Sequence, residues 1–368
     1  MVMNRVIFLS TLRLHRNKAI LIHTLKQAEA LYRYVDVKIY MPPYKKNNLL
    51  HHYTDVLQNL GISVKLSLTF SQMLHSRWKI LDYLPFLFFR RKILKSSFIF
   101  VTSHIVSRGL IRLNIPHLFE VHEFDKLKEK DFLKKLIKYV NKGIVKLVCI
   151  SPSIKENLIK AGAYSNKVHV LPVGVDIGLF NKVKDLTIER FKSPTIIHAG
   201  TLDHDRGLSI IESLADIGYK FILAGEITGK SKWPSSVQYF GIVPHKEIPK
   251  LYDKSEISLL PFQPTLFSVN SFCSQKLIES MAAGRAIIAS DLKPIREVVT
   301  HGKEALLVPP SDISSWIDAI ETLKKNPDLA IRLARNAKEK VKDFDWSKRA
   351  EKILSIFSTK INKSFGLF

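Results

Sequence analysis

The chain has 368 residues, 46% of them hydrophobic, which is enough to bury a large core and on length alone suits roughly two domains of common size. Net charge is +24, and residues 1–180 carry +18 of it. A surface of that sign suits a polyanionic partner, membrane headgroups or nucleic acid, although a proteome rich in Lys, Ile, Asn and Phe would give the same count. The two cysteines, Cys149 and Cys273, are far apart, which argues against a disulfide framework or a cysteine zinc site and fits a reducing cytosol. No uncharged apolar run reaches the roughly 20 residues a membrane span needs, so a soluble or monotopic protein is expected.

Taken in order, the opening RVIFLS (5–10) reads as a first buried strand and not as a signal peptide. The loop after it, TLRLHRNKA, carries Arg13, His15, Arg16 and Lys18. It either binds a phosphate of an acceptor or belongs to a general basic face. Further strands are expected at 35–41, 62–68, 98–103, 117–122 and 144–151, alternating with amphipathic segments. Segment 78–100 places aromatics beside Arg90, Arg91, Lys92 and Lys95, as an interfacial membrane element would; a helix packed in the core is the alternative. In FEVHEFDK, His122 ends a strand, with Glu123 and Asp125 just beyond it. The stretch 125–142 reads as a second amphipathic basic helix.

The second half repeats the alternation, with strands expected at 195–200, 220–225, 237–241, 256–262, 285–290 and 304–309. Near-continuous β-branched runs imply parallel sheets covered on both faces. The fold class is therefore α/β, as two doubly wound domains joined through LPVGVDIGLFNKV, with ligands in a cleft beyond the carboxyl ends of the strands. Within SQKLIESMAAGRAIIAS (274–290), helical spacing puts Leu277, Ile278, Met281 and Ala282 on one face, and Gly284 is the expected stop before a strand. A cation, Lys276, sits in the first turn, where the helix dipole is already positive. This suggests an anion site, whereas an ordinary surface helix with solvated Lys and Glu is the plain alternative.

Four stretches, VCISPSIKENLIKAGAYSNKVHVLPVGVDIGLF, HAGTLDHDRGLSIIESL, VQYFGIVPHKEIPKLYDKSEISLLPF and QKLIESMAAGRAIIASDLKPIREVVTHGKEALLVPPSDISSWIDAI, closed by FDWSKRAEKIL, resemble the successive landmarks of family 4 (group 1) glycosyltransferases. The resemblance covers about residues 144–357 in the family's order and is loose over the first hundred. It implies the GT-B fold of two Rossmann-like domains facing an interdomain cleft, and transfer with retention of anomeric configuration.

Carried over by position, the resemblance makes Glu279 the ribose-binding glutamate, whose carboxylate accepts both hydroxyl protons. Ser271 stands where the family has its first glutamate. Lys276, as in a subgroup of the family, would meet the diphosphate beside Ser274. In HAGTLDHDRG, Gly200 and Thr201 lie at the donor, Thr201 replacing the family's arginine, and Arg206 replaces its lysine as the main stabiliser of the leaving group. Backbone groups near FGIV, including Ile242 and Val243, would read the base. His122 resembles the family's histidine that approaches the donor sugar, in a positioning or polarising role. Asp203-His204-Asp205 mimics the Asp-x-Asp metal motif of the other major glycosyltransferase fold, but a turn before a helix is where capping Asp residues occur, so neither metal nor cofactor is expected.

The domains implied are 1–172 for the acceptor and membrane face, 173–345 for the nucleotide sugar, and a last helix within 346–368 crossing back to the first domain. The expected function is sugar transfer from a nucleotide diphosphate donor (UDP-sugar or GDP-mannose type) to a lipid-linked or cell-envelope glycan at the cytoplasmic membrane face. Closure of the domains would bring His122 toward Arg206, Lys276 and Glu279 and exclude water. A non-catalytic partner subunit would account for Ser271 and Thr201 together. A basic nucleic-acid-binding protein would account for the charge, but no stacking module or helix-turn-helix is visible, and no nucleic-acid partner is expected.

Overall fold

The computed structural model describes residues 5–12, 19–42, 49–62, 64, 66–70, 98–229, 232–266 and 269–358. Its chain divides into two compact units, Met1–Pro172 with Trp346–Phe368, and Val173–Asp345.

In the first unit β1 (Arg5–Leu9), β2 (Asp36–Met41), β3 (Ser67–Phe70), β4 (Phe98–Val101), β5 (His117–Val121), β6 (Val145–Cys149) and β7 (Val168–Val170) form one sheet in the order β3-β2-β1-β4-β5-β6-β7. Every pairing is parallel, Val6 lying opposite both Val37 and Phe98. Among the described residues the helices between them are α1 (Ala19–Tyr32), α2 (Leu49–Asn59), α3 (His104–Arg112), α4 (Phe132–Asn141) and α5 (Pro152–Lys160).

The second unit holds α6 (Ile177–Phe180), β8 (Thr195–Ala199), α7 (Leu208–Asp216), β9 (Lys220–Ala224), β10 (Val237–Tyr239), α8 (Ile248–Asp253), β11 (Ile257–Leu260), α9 (Gln275–Ala282), β12 (Ala286–Ser290), α10 (Lys293–Arg296), β13 (Leu306–Val308), α11 (Ile313–Lys325) and α12 (Pro327–Lys340). Its sheet runs β10-β9-β8-β11-β12-β13, again all parallel. Both sheets reverse strand order once, between β1 and β4 and between β8 and β11. At such a reversal the connections leave to opposite faces and open a crevice beyond the strand ends.

Burial explains why the strands read as continuous apolar runs. Ile257–Leu260 and Ala286–Ser290 are buried throughout, because helices cover both faces. The last helix, α13 (Trp346–Ser358), belongs to the first unit. Its Trp346, Ala350, Ile353, Ile356 and Phe357 pack in one core with Leu21, Leu25, Val37, Ile39 and Phe100, each large side chain contributing about 1.5–3 kcal/mol by burial. Arg33 donates to Ser347 Oγ at 2.9 Å and Tyr34 Oη to Glu351 at 2.9 Å, fixing α13 along α1.

Two local expectations are corrected. Of the described residues in 62–68, only Ser67 and Leu68 lie in a strand. Ile62 instead closes α2, its N–H donating to Leu57 O at 2.9 Å after the left-handed Gly61, so its apolar side chain is a helix-end plug. The stretch 125–142 is a 3-10 segment, Asp125–Asp131, followed by α4, because Asp131 takes a left-handed φ of 58°. The three-residue strand β7 was not anticipated.

Candidate functional site

At the crevice of the second unit, α9 follows β11 and its loop. Ser274 caps it, Oγ accepting from Leu277 N at 3.2 Å, and Leu277, Ile278, Met281 and Ala282 are buried. Ala283 N–H returns to Glu279 O, and Gly284, at φ +61°, releases the chain into β12. Packing of the apolar face thus leaves Lys276 and Glu279 on the side toward the end of β8.

Lys276 reaches the carboxyl end of β8. Its Nζ donates to Thr201 O at 2.7 Å and to His198 Nε2 at 2.9 Å, and stands 5.4 Å from the Phe262 ring centroid. Gly200 makes the passage possible: at φ +135° it has no side chain, and a Cβ there would lie 2.3 Å from Lys276 Cε. The residue is half-buried as a whole, but burial of its ammonium end, helped by the nearby Arg206 charge, pushes the amine down to about 7 against the pull of Asp203 and Glu279. His198 is pushed down to about 3, by burial first and then by the Lys276 charge, so its ring is neutral.

Arg206 is half-buried in the turn before α7, its guanidinium paired with Asp203, whose other oxygen accepts from Arg206 N at 3.0 Å. Asp203 is therefore a cap, and Asp205 accepts from Thr265 Oγ1 at 2.7 Å. Glu279 is buried. Its Oε1 accepts from His245 Nε2 at 2.8 Å and from Gln275 Nε2 at 3.1 Å, while no hydrogen bond reaches Oε2 among the described residues. His245 ties this carboxylate to the loop after β10, where Ile242 is exposed and Val243 half-buried, beside exposed Tyr239 and Phe240. Ser271 is buried in the segment leading to Ser274. Thr201 is exposed and contributes its carbonyl. The structure thus gathers Gly200, Thr201, Ser274, Lys276 and Glu279 around one crevice, with Arg206 close enough to perturb Lys276.

His122 lies in the first unit, at the end of β5. With Thr11, Thr102, Ser103, His104 and Lys126, among others, it lines a cavity of about 270 Å³ beyond the ends of β1, β4 and β5. Glu120, two residues earlier, is wholly buried and accepts from His122 Nε2 at 2.6 Å and from Arg349 of α13 at 2.7 Å. His23 Nε2 lies 2.5 Å from Glu120 without hydrogen-bond alignment, and burial pushes its imidazole down to about 4. Burial alone would raise the Glu120 carboxyl, but the Arg349 guanidinium, then His23, hold it well below the usual carboxylate range. The ligand-type atoms of His23, Glu120 and His122 lie within 4.8 Å of one another, yet the guanidinium already answers the single carboxylate, which argues against a cation there. Arg13, Arg16, Lys18, Arg90, Arg91 and Lys92 lie outside the described residues.

Not anticipated from the sequence are His198, His245, Phe262, Glu120 and Arg349. Each lies in an apolar or unremarkable run, and its partner comes from a distant segment. The only local signal was polarity inside a strand, in TIIHAG and HLFEVH.

Residues 187–340 match the family model described as glycosyl transferases group 1, and residues 22–179 match the model described as glycosyltransferase family 4. Among curated relatives, the phosphatidyl-myo-inositol mannosyltransferase of Mycobacterium leprae is 37% identical over 83 residues, 23% of this chain and 22% of the relative. The D-inositol 3-phosphate glycosyltransferase of Corynebacterium efficiens is 21% identical over 222 residues, 52% of this chain and 51% of the relative. The matches thus span between about a fifth and a half of those relatives. Among solved structures, a glycosyltransferase from Rickettsia africae superimposes with a TM-score of 0.74 at 17% identity, covering 99% of this chain and 100% of that one. Anabaena HepE, in complex with UDP, gives 0.70 at 16%, covering 98% and 100%. With two family models dividing the chain between them and this fold shared along its length, the protein belongs to the family 4, group 1 glycosyltransferases and has their two-domain GT-B fold.

Proposed function

We propose that the crevice of the second unit binds a nucleoside diphosphate sugar and that the protein transfers the sugar, with retention and without a metal, to a lipid-linked or cell-envelope glycan at the cytoplasmic membrane face. The observation that carries this reading is Lys276, an ammonium held at the end of β8 on a capped helix, with Arg206 beside it and Glu279 one turn further along. A departing diphosphate develops negative charge where two fixed cations and helix N–H groups await it, and stabilising that charge is the larger catalytic contribution. Arrival of the diphosphate restores the proton that desolvation takes from Lys276. Glu279 Oε2 is the acceptor for ribose hydroxyls, and the loop bearing Ile242 and Val243 reads the base. HepE is crystallised with UDP and with UDP-glucose, which favours a UDP-sugar as the first donor to test.

His122 has a positioning or polarising role toward a sugar hydroxyl. Its Nε2–H is taken by Glu120, which leaves Nδ1 as the ring acceptor at the cavity. The +18 carried by residues 1–180 and the exposed Lys134, Lys135, Lys138 and Lys142 support an anionic membrane surface as docking partner. No helix among the described residues is long and apolar enough to cross a membrane.

A non-catalytic partner role is the second reading, favoured by Ser271 and Thr201 where the family carries charge. A thermal-shift panel of UDP, GDP, ADP, CDP and dTDP, on wild type and Glu279→Ala, separates the two. A nucleotide at 100 times its Kd adds about 2.7 kcal/mol of stability. A shift with one base, lost in Glu279→Ala, is the expected result. No shift with any of the five would overturn the donor site and favour the partner role.

A further inference from the structure

An ammonium group has three N–H donors, and the position of a flexible lysine tip is set by what accepts them. At Lys276 two acceptors are accounted for, Thr201 O at 2.7 Å and His198 Nε2 at 2.9 Å. Among the described residues no hydrogen bond takes the third. His198, near the carboxyl end of β8, is buried, and its Nδ1 lies 3.0 Å from Leu259 O of the neighbouring β11. A carbonyl only accepts, so Nδ1 carries the proton and Nε2 presents a lone pair. The 3.5 Å approach of Nε2 to Thr201 O is then two acceptors sharing one ammonium.

We propose that His198 is a positioning residue of the donor site: with the Thr201 carbonyl it occupies two of the three donors of Lys276, and so aims the third at a diphosphate oxygen of the sugar nucleotide. The assignment rests on the donor-site reading above. A hydrocarbon at this position would leave the lysine tip free to sweep between Thr201 O and solvent. A strand-borne imidazole tied to Leu259 O ties the tip to the rigid centre of the sheet. Neutrality of the ring is essential, since an imidazolium would repel the ammonium, and burial together with Lys276 keeps the ring neutral throughout the physiological range.

Two substitutions separate positioning from structural support, because the amide of Asn superimposes on the Nδ1 side of an imidazole and that of Gln on the Nε2 side. His198→Asn keeps a donor for Leu259 O and loses the acceptor for Lys276; His198→Gln does the reverse. Affinity for UDP-glucose, or for the diphosphate sugar of whichever base the panel selects, is measured by calorimetry at fixed salt. Losing one charge-assisted hydrogen bond predicts about tenfold weaker binding for His198→Asn and recovery to within about threefold of wild type for His198→Gln. A purely structural role predicts the opposite order, and that order, or equal affinity in all three proteins, overturns the proposal.

Should a variant fail to fold, nitrogen-15 histidine spectra of the wild type test the same geometry. The Nδ1–H tautomer at His198, the minor form in free histidine, is expected, and an Nε2–H tautomer overturns the assignment. If wild type binds none of the nucleotides, the donor site itself fails and the proposal falls with it. If wild type binds and the variants disobey the predicted order, His198 alone is misassigned.

Discussion

Gly200→Ala tests the geometry of the crevice with a single methyl group. An ideal Cβ at this position lies 2.3 Å from Lys276 Cε, 3.1 Å from Cδ and 3.3 Å from Nζ. Carbon atoms in contact prefer about 3.5–4.0 Å, so one partner must move by more than about 1 Å. The backbone is the stiffer partner, since Gly200 N donates to Ala224 O at 2.6 Å and a Cβ at neighbouring Gly225 would meet Gly200 O at 2.3 Å. Lys276 therefore gives way and leaves both Thr201 O and His198. A residue with a side chain at φ +135° adds strain of about 1–3 kcal/mol to the folded state.

For binding, a lost contact between ammonium and diphosphate is worth about 1.5–3 kcal/mol, or roughly 10- to 100-fold in Kd. The assay is calorimetric titration of the selected sugar nucleotide into wild type, Gly200→Ala, Lys276→Ala and the double variant. Because one substitution acts by displacing the other residue, the effects must not add: in the Lys276→Ala background Gly200→Ala is expected to change affinity by less than about threefold, a coupling of at least about 1 kcal/mol. Unchanged binding by Gly200→Ala, or additive losses in the cycle, would refute this account of the Lys276 passage.

Affinity for a diphosphate sugar, whose own ionisation is complete well below neutrality, is expected to be full below about pH 7 and to fall above it, because the free Lys276 amine is held at about 7 and the ligand needs it protonated. The slope is at most about tenfold per pH unit. The calorimetric Kd against pH should be flat in Lys276→Met, and a flat wild-type curve would remove Lys276 from the diphosphate. In the first unit, Arg349→Met leaves Glu120 as a buried carboxylate without its guanidinium and is expected to cost about 3–5 kcal/mol in urea unfolding, far more than an exposed arginine would. Since the Glu120 carboxyl is depressed in the folded state, the stability it contributes is present above the unfolded value near 4.5 and lost as pH falls below it. Acid unfolding of Glu120→Gln is accordingly expected to show a weaker pH dependence than wild type.

What the sequence disclosed, and what it withheld, divides along the range of the interactions concerned. The parallel, doubly wound architecture was legible because a strand covered on both faces must be apolar at every position, and Ala286–Ser290 satisfies that rule locally. The helix at Lys276 was legible for the same reason: Ser274, the apolar face and Gly284 are all within eleven residues of one another. Ile62 shows the limit of local pattern. Its alternation with Val64 and Leu66 imitates a strand, but the hydrogen bond to Leu57 assigns it to the end of a helix.

Buried polar residues defeat local reading altogether. His198 in TIIHAG and Glu120 in HLFEVH look like interruptions of a core strand, and burying either without a partner would cost several kcal/mol. That cost is what makes them informative, since a strand can hold such a residue only where the fold delivers its partner. Leu259 and Lys276 arrive 61 and 78 positions along the chain from His198, and Arg349 arrives 229 positions from Glu120. An unexplained polar residue in an otherwise apolar strand is thus a demand for a partner that the sequence does not identify. In this protein both demands are met near the carboxyl ends of their strands, each by a side chain that a distant stretch of sequence delivers.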